Sequence, residues 1–170
     1  MKWITHQVVA MAGAWELNFP IVAMGGVMLG SILPDIIDSG MAKFSSNPQK
    51  NFYKVHRGFT HWYGFYAILL ALAYVLIWHP KILYINYMDK TSIYIVAGIA
   101  FGGLMHVILD MCTPSGVPLL PFRKNPRFSL RLFKTGSWQE YVFLACFMLI
   151  FAYINGYNFK PFYHLWKRIF

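Results

Sequence analysis

The sequence predicts an all-α fold: a multi-pass helical integral membrane protein of one domain, residues 1–170, with four or five membrane-embedded helices. Three observations carry that prediction. Hydrophobic residues make up 58% of the chain and charged residues 12%, with a mean hydropathy of +0.46. Soluble domains carry about a quarter charged residues, and too few polar groups remain here to cover a soluble core. The apolar residues come in runs separated by polar connections. The charges sit in those connections: 15 Lys+Arg against 6 Asp+Glu give a net +9. Basic loops of this kind fit positive-inside topology and anionic headgroups. No compact basic helix marks a nucleic-acid reader, so no nucleic-acid partner is expected.

The elements follow in order. The first apolar segment, Ile4 to Trp15, is short and carries His6. The second, Ile21 to Leu33, follows Pro20, a good helix start, and ends in Leu33-Pro34-Asp35. Both are short for a full crossing, which suits a re-entrant pair or two tilted helices partly covered by protein. The third, Trp62 to Trp78, has Trp, Tyr and His at its edges like an interfacial belt. The fourth, Ser92 to Cys112, is long enough to span, and the fifth is Tyr141 to Ile154. Polar connections lie at Ile36 to Phe59, His79 to Thr91 and Thr113 to Gln139, with a tail from Lys160. Cys112 and Cys146 have neither the spacing nor the context of a disulfide or a thiolate metal site. The N-terminus lacks the apolar stretch and cleavage site of a removable signal peptide.

Threading the helices alternately places ten basic residues on one face and five on the other. The richer face, with Lys2 and the two longer connections, is expected in the cytoplasm. The same threading brings His6, Asp35, His56, His61, His106 and Asp110 to that face. Gly26-x-x-x-Gly30 and Gly98-x-x-x-Gly102 would let the helices leading to Asp35 and His106 approach neighbours closely.

His106 and Asp110 are four residues apart and so share a helix face. Ionisable groups in a membrane segment are costly and usually functional. His56-Arg57-Gly58-Phe59-Thr60-His61 puts two histidines and a guanidinium within six residues, with Gly58 free to turn the backbone. Imidazole and carboxylate ligands without thiolates suit zinc, manganese or iron, and favour a hydrolytic metal site over a structural one. His6, Asp35, His106 and Asp110 are the expected ligands; His56 and His61 supply the remaining ligand or a general base. Arg57 is the natural clamp for an anionic group. Glu140 and Asp38 are further candidates, Glu140 also suiting a helix N-terminus. His79, His164, Asp89 and Glu16 show no partner in the cluster.

These motifs resemble the YdjM-like family of bacterial inner-membrane proteins, LexA-regulated and described as membrane-bound metal-dependent hydrolases. The matching pieces are Thr5-His6, Leu33-Pro34-Asp35-Ile36, His56-Arg57-Gly58-Phe59-Thr60-His61 and His106-Val107-Ile108-Leu109-Asp110 continuing to Leu120, with Arg127-Phe128, Gly136 and Glu140 beyond. The resemblance implies a multi-pass hydrolase of the inner membrane with an active-site metal. By matching position, the same six residues would be its metal and catalytic groups. The chain departs from the pattern twice. Asp38 stands one step after the position of the family's second aspartate, here Ile37, and Trp62 replaces a small residue, which would reshape the pocket entrance.

The expected activity is metal-dependent hydrolysis at the cytoplasmic membrane interface, with membrane lipids as partners and a lipid-like phosphoester as substrate. Hydrolysis of an amide or peptide is the runner-up. The rival from another class is a metal or proton transporter using the same His/Asp cluster. A pathway needs polar groups at several membrane depths, whereas here they gather at one face.

Overall fold

The computed structural model describes residues 1–44, 46–79, 90–123 and 125–156. Seven α-helices dominate it: α1 Trp3–Glu16, α2 Ile21–Gly30, α3 Leu33–Lys43, α4 Pro48–Val55, α5 Tyr63–Trp78, α6 Lys90–Met111 and α7 Trp138–Ile154. A two-residue antiparallel pair, β1 Val117–Pro118 and β2 Arg127–Phe128, is the sheet among the described residues. The all-α expectation holds. Among the described residues, only α6, with 22 residues, is long and apolar enough to cross a bilayer alone. α2 and α3 meet that condition together, as a pair bent by 42°, while α5 and α7 are apolar but shorter. By length and composition this makes one span, or two if the bent pair is one, against the four or five embedded helices expected.

The connection from Ile36 to Phe59 is mostly helical rather than irregular, because it contains α3 and α4. Proline interrupts a helix interior but fits a first turn, where its missing N–H is not needed, and Pro34 sits in the first turn of α3. α4 starts the same way at Pro48, with the Asn47 side chain accepting from the Lys50 N–H (3.2 Å). The connection after α6 folds back on that helix. Leu130 and Leu132 donate their N–H groups to the Met111 and Cys112 carbonyls (2.7 and 2.8 Å), satisfying acceptors the helix end leaves open. The charged connection at 80–89 and the tail at 157–170, with Lys81, Asp89, Lys160, His164, Lys167 and Arg168, lie outside the described residues, as does Lys124.

The two glycine motifs are each other's partners. A Cβ on Gly26 or Gly30 would come within 2.3 or 2.2 Å of the Ile95 or Ile99 carbonyl oxygen. On the facing helix, a Cβ on Gly98 or Gly102 would meet the Ala23 or Val27 carbonyl at 2.2 Å. α2 and α6 therefore touch backbone to backbone, a spacing no other residue permits. α1 closes over them through Ala10 and Ala14 against Val27 and Phe101. α5 packs on the other side of α6, with Tyr66 lying over Gly103 and against Val107 and Val117. The outward faces keep large apolar side chains bare, such as Ile21, Trp78 and Ile150, a surface suited to lipid rather than water.

Candidate metal centre

α6 delivers His106 and Asp110 from its last two turns, and α1 delivers His6 from its first. α3 contributes Asp35 and Asp38, three residues apart on one face of its first two turns. The segment between α4 and α5 brings His56, Arg57 and His61, ending in a 3-10 turn over Phe59–His61. All six expected ligands therefore meet, forming three overlapping groups: His6, His106 and Asp110; Asp35, His61 and His106; Asp38, His56 and His61.

Hydrogen bonds orient the two central imidazoles. His106 Nδ1 lies 2.6 Å from the Ser31 carbonyl oxygen. A carbonyl only accepts, so Nδ1 carries the proton and Nε2 keeps its lone pair. His61 Nδ1 faces Thr60 Oγ1 (3.1 Å) and Asp38 Oδ2 (3.4 Å). Thr60 already donates its hydroxyl to Asp38 Oδ1 (2.5 Å), so His61 Nδ1 is again the donor. Both Nε2 atoms are thus turned inward as ligands, each held by a partner behind it.

Those two nitrogens meet two carboxylate oxygens. His61 Nε2 and His106 Nε2 are 3.3 Å apart. Asp35 Oδ1 lies 3.5 and 3.7 Å from them, and Asp110 Oδ2 lies 3.6 and 3.8 Å from them. A cation bonded at about 2.0–2.2 Å holds tetrahedral ligands about 3.3–3.6 Å apart. The cage has that size. His6 adds a second sign: its ring is fully buried and stacked on His106 (centroids 3.8 Å apart), and neither nitrogen has a hydrogen-bond partner among the described residues. Its Nε2 is 3.6 Å from Asp110 Oδ1. A buried imidazole without partners is costly unless something absent from the protein binds it. The residues present fit a divalent cation.

The neighbouring histidines have different surroundings. His61 is buried as part of the cage, whereas His56 is half-buried and lines a cavity of about 330 Å³ together with Asp35, Arg57 and Asp110. His56 Nδ1 lies 3.2 Å from Asp38 Oδ2, which makes Nε2 the proton-accepting nitrogen. Arg57 holds the centre from the side: its Nη2 is 2.9 Å from Asp110 Oδ1 and its Nη1 donates to Thr113 Oγ1 at 2.7 Å. The Met1 amino group donates to the same Asp110 oxygen at 2.8 Å. The turn expected at Gly58 falls instead on Arg57, whose φ is +56°, while Gly58 keeps φ −92°. A side chain rarely adopts such a φ, and here Arg57 is fixed in it by its N–H bond to Asp38 Oδ2 (2.9 Å).

Two expected site residues take other positions. Glu140 is fully buried, but its carboxylate accepts from the Lys2 N–H, the Thr5 hydroxyl and the Gly136 N–H (2.8, 2.8 and 2.6 Å). It is outside both the metal-holding groups and the cavity lining, and it ties the start of α1 to α7. Trp62 does not line the cavity either; its indole donates to the Leu119 carbonyl at 3.2 Å. Asp38, a further candidate from the sequence, is at the heart of the site, buried against Arg57, Thr60, His56 and His61. The three-residue spacing from Asp35 signals this, once Pro34 is taken as a helix start. Arg127 also lines the cavity. Its two-residue strand has no periodicity to point it inward, and only the family resemblance includes it.

The family model described as YdjM inner membrane protein matches residues 1–165, so the chain belongs to that family. No curated protein and no solved structure matches it.

Proposed function

We propose that this member of the YdjM inner membrane protein family is a metal-dependent hydrolase that cleaves a lipid-like phosphoester at the cytoplasmic membrane interface. The observation that carries this reading is the inward convergence of His61 Nε2, His106 Nε2, Asp35 Oδ1 and Asp110 Oδ2 beside a cavity walled by His56 and Arg57. A divalent cation in that cage, zinc or else manganese or iron, would supply Lewis acidity, making water more acidic and polarising a phosphoryl oxygen.

The chain's own groups do the rest. Arg57 offers a guanidinium to an anionic oxygen, locked in place by Asp110 and Thr113. His56, with Asp38 behind it, takes a proton at Nε2 and returns it to the leaving oxygen. In hydrolysis the water oxygen joins phosphorus, the P–O ester bond breaks, and the released alcohol keeps the returned proton. The position of His106 and Asp110 in the last turns of α6, the helix long and apolar enough to span, supports an interfacial substrate. Facing the cytoplasm rests on the excess of basic residues in the flanking connections.

Metal analysis of the purified protein is expected to find bound divalent cation. The double variant His106→Ala with Asp110→Ala is expected to lose it, together with turnover of a phosphoester. Full metal content in that variant would overturn the site. Cleavage of an amide but not a phosphoester would favour the runner-up. Transport into sealed vesicles without turnover would favour the transporter reading.

A further inference from the structure

Arg127 reaches the cavity from a two-residue antiparallel strand pair. Its strand residue pairs with Pro118, and Phe128 pairs with Val117. Gly116, at φ +59°, lets the Phe128 carbonyl pack where a Cβ would come within 2.3 Å. The Arg127 guanidinium is fixed by carbonyl oxygens, Nη1 donating to Ser115 at 3.0 Å and Nη2 to Arg57 at 3.4 Å. Both arginines line the same cavity as Asp35 and Asp110. Partial burial and the nearby Arg57 charge both push the Arg127 pKa down. Arg57 Nε is buried and has no hydrogen-bond partner among the described residues.

Two guanidinium groups lining one cavity repel each other, Arg57 buried beside Asp110 and Arg127 on the exposed side. An anion between them removes that repulsion. The guanidinium fork matches phosphate oxygens in pairs, which a lysine ammonium cannot do. Both forks are already ordered by the protein, so a ligand meets them without having to organise them. The carboxylates of Asp35 and Asp110 offset a divalent cation and the Asp38 carboxylate offsets the Met1 ammonium, so the two guanidinium groups set the net charge at the cavity. A neutral amide answers neither, a phosphodiester carries one negative charge, and a phosphomonoester carries nearly two at neutral pH.

We propose that Arg127 is a specificity-determining residue which, with Arg57, clamps a terminal phosphate, so that the substrate is a phosphomonoester. This rests on the metal-hydrolase reading for the reaction, but not for the anion binding.

The test uses the full-length protein in detergent, metal-loaded and again after chelation. Inorganic phosphate, dimethyl phosphate and acetate are titrated by calorimetry into the unaltered protein and into Arg127→Gln and Arg127→Lys. The Gln variant removes the charge while keeping an amide donor, and unchanged metal content with unchanged far-UV circular dichroism reports an intact fold. Phosphate is expected to bind more tightly than dimethyl phosphate or acetate. Arg127→Gln should weaken phosphate by about tenfold or more, with Arg127→Lys intermediate. Unchanged phosphate affinity in Arg127→Gln, or equal affinity for dimethyl phosphate, would overturn the proposal. A protein that holds no metal yet binds phosphate through Arg127 would sink the hydrolase reading and leave the clamp standing.

Discussion

Asp38 organises the site without belonging to the cage. One of its oxygens accepts from Thr60, the other from the Arg57 N–H and the His56 ring, with His61 Nδ1 at 3.4 Å. A carboxylate can accept from all of these at once, whereas a carboxamide offers a single acceptor oxygen. Asp38→Asn is therefore expected to release His61 from its required tautomer while keeping the side chain's shape. Partners behind metal-bound histidines typically contribute a factor of about 10–100 in metal affinity. Competition with a coloured chelator should find a loss of that size, with helix content unchanged. Affinity equal to the unaltered protein would show that His61 is held by Thr60 alone. His6 makes the complementary case: its ring, stacked on His106, is buried with no hydrogen-bond partner among the described residues, which is costly without a bound cation.

The contact between α2 and α6 decides whether those residues meet at all. α2 ends at Gly30 with Ser31 following, and the Ser31 carbonyl fixes His106 on α6. Sliding or separating the two helices would break that bond and open the cage. The four interlocked glycines prevent it by leaving no room for a larger residue. Gly102→Ala would drive a methyl group into the Val27 carbonyl, 2.2 Å from the new atom. Overpacking of this kind costs about 1–3 kcal/mol, and the helices must part to relieve it. Gly25→Ala is the internal control, because a Cβ there meets nothing within 4 Å. It should be neutral or slightly stabilising, alanine being the better helix former by about 1 kcal/mol. Unfolding in increasing SDS checks both, and metal content should fall for Gly102→Ala alone. Equal behaviour of the two variants would mean that the glycines do not set the helix spacing.

At the scale of the whole molecule, burial and charge arrange the chain around one end of α6. Hydropathy made that arrangement legible. It ordered the apolar segments, and alternation along the chain then gathered His6, Asp35, His56, His61, His106 and Asp110, which the structure does bring together. It could not show that α3 and α4 are helices, since Leu33-Pro34-Asp35 looks alike at the end of one helix and the start of another. Nor could it place Arg127 or separate the roles of His56 and His61, which depend on tertiary hydrogen bonds and burial. Orientation is the remaining consequence of the charge pattern, because the long connections that frame the cavity carry most of the basic residues. Ser115 is exposed at the cavity rim and uses its carbonyl, not its side chain, to hold Arg127. Ser115→Cys, with Cys112 and Cys146 replaced by alanine, therefore gives a handle on the face that holds the site without disturbing its hydrogen bonds. A membrane-impermeant maleimide should label that cysteine in inverted inner-membrane vesicles and leave it unlabelled in intact spheroplasts, as read by mass shift. Labelling from the outside would place the cavity on the opposite face and remove cytoplasmic phosphomonoesters from its reach.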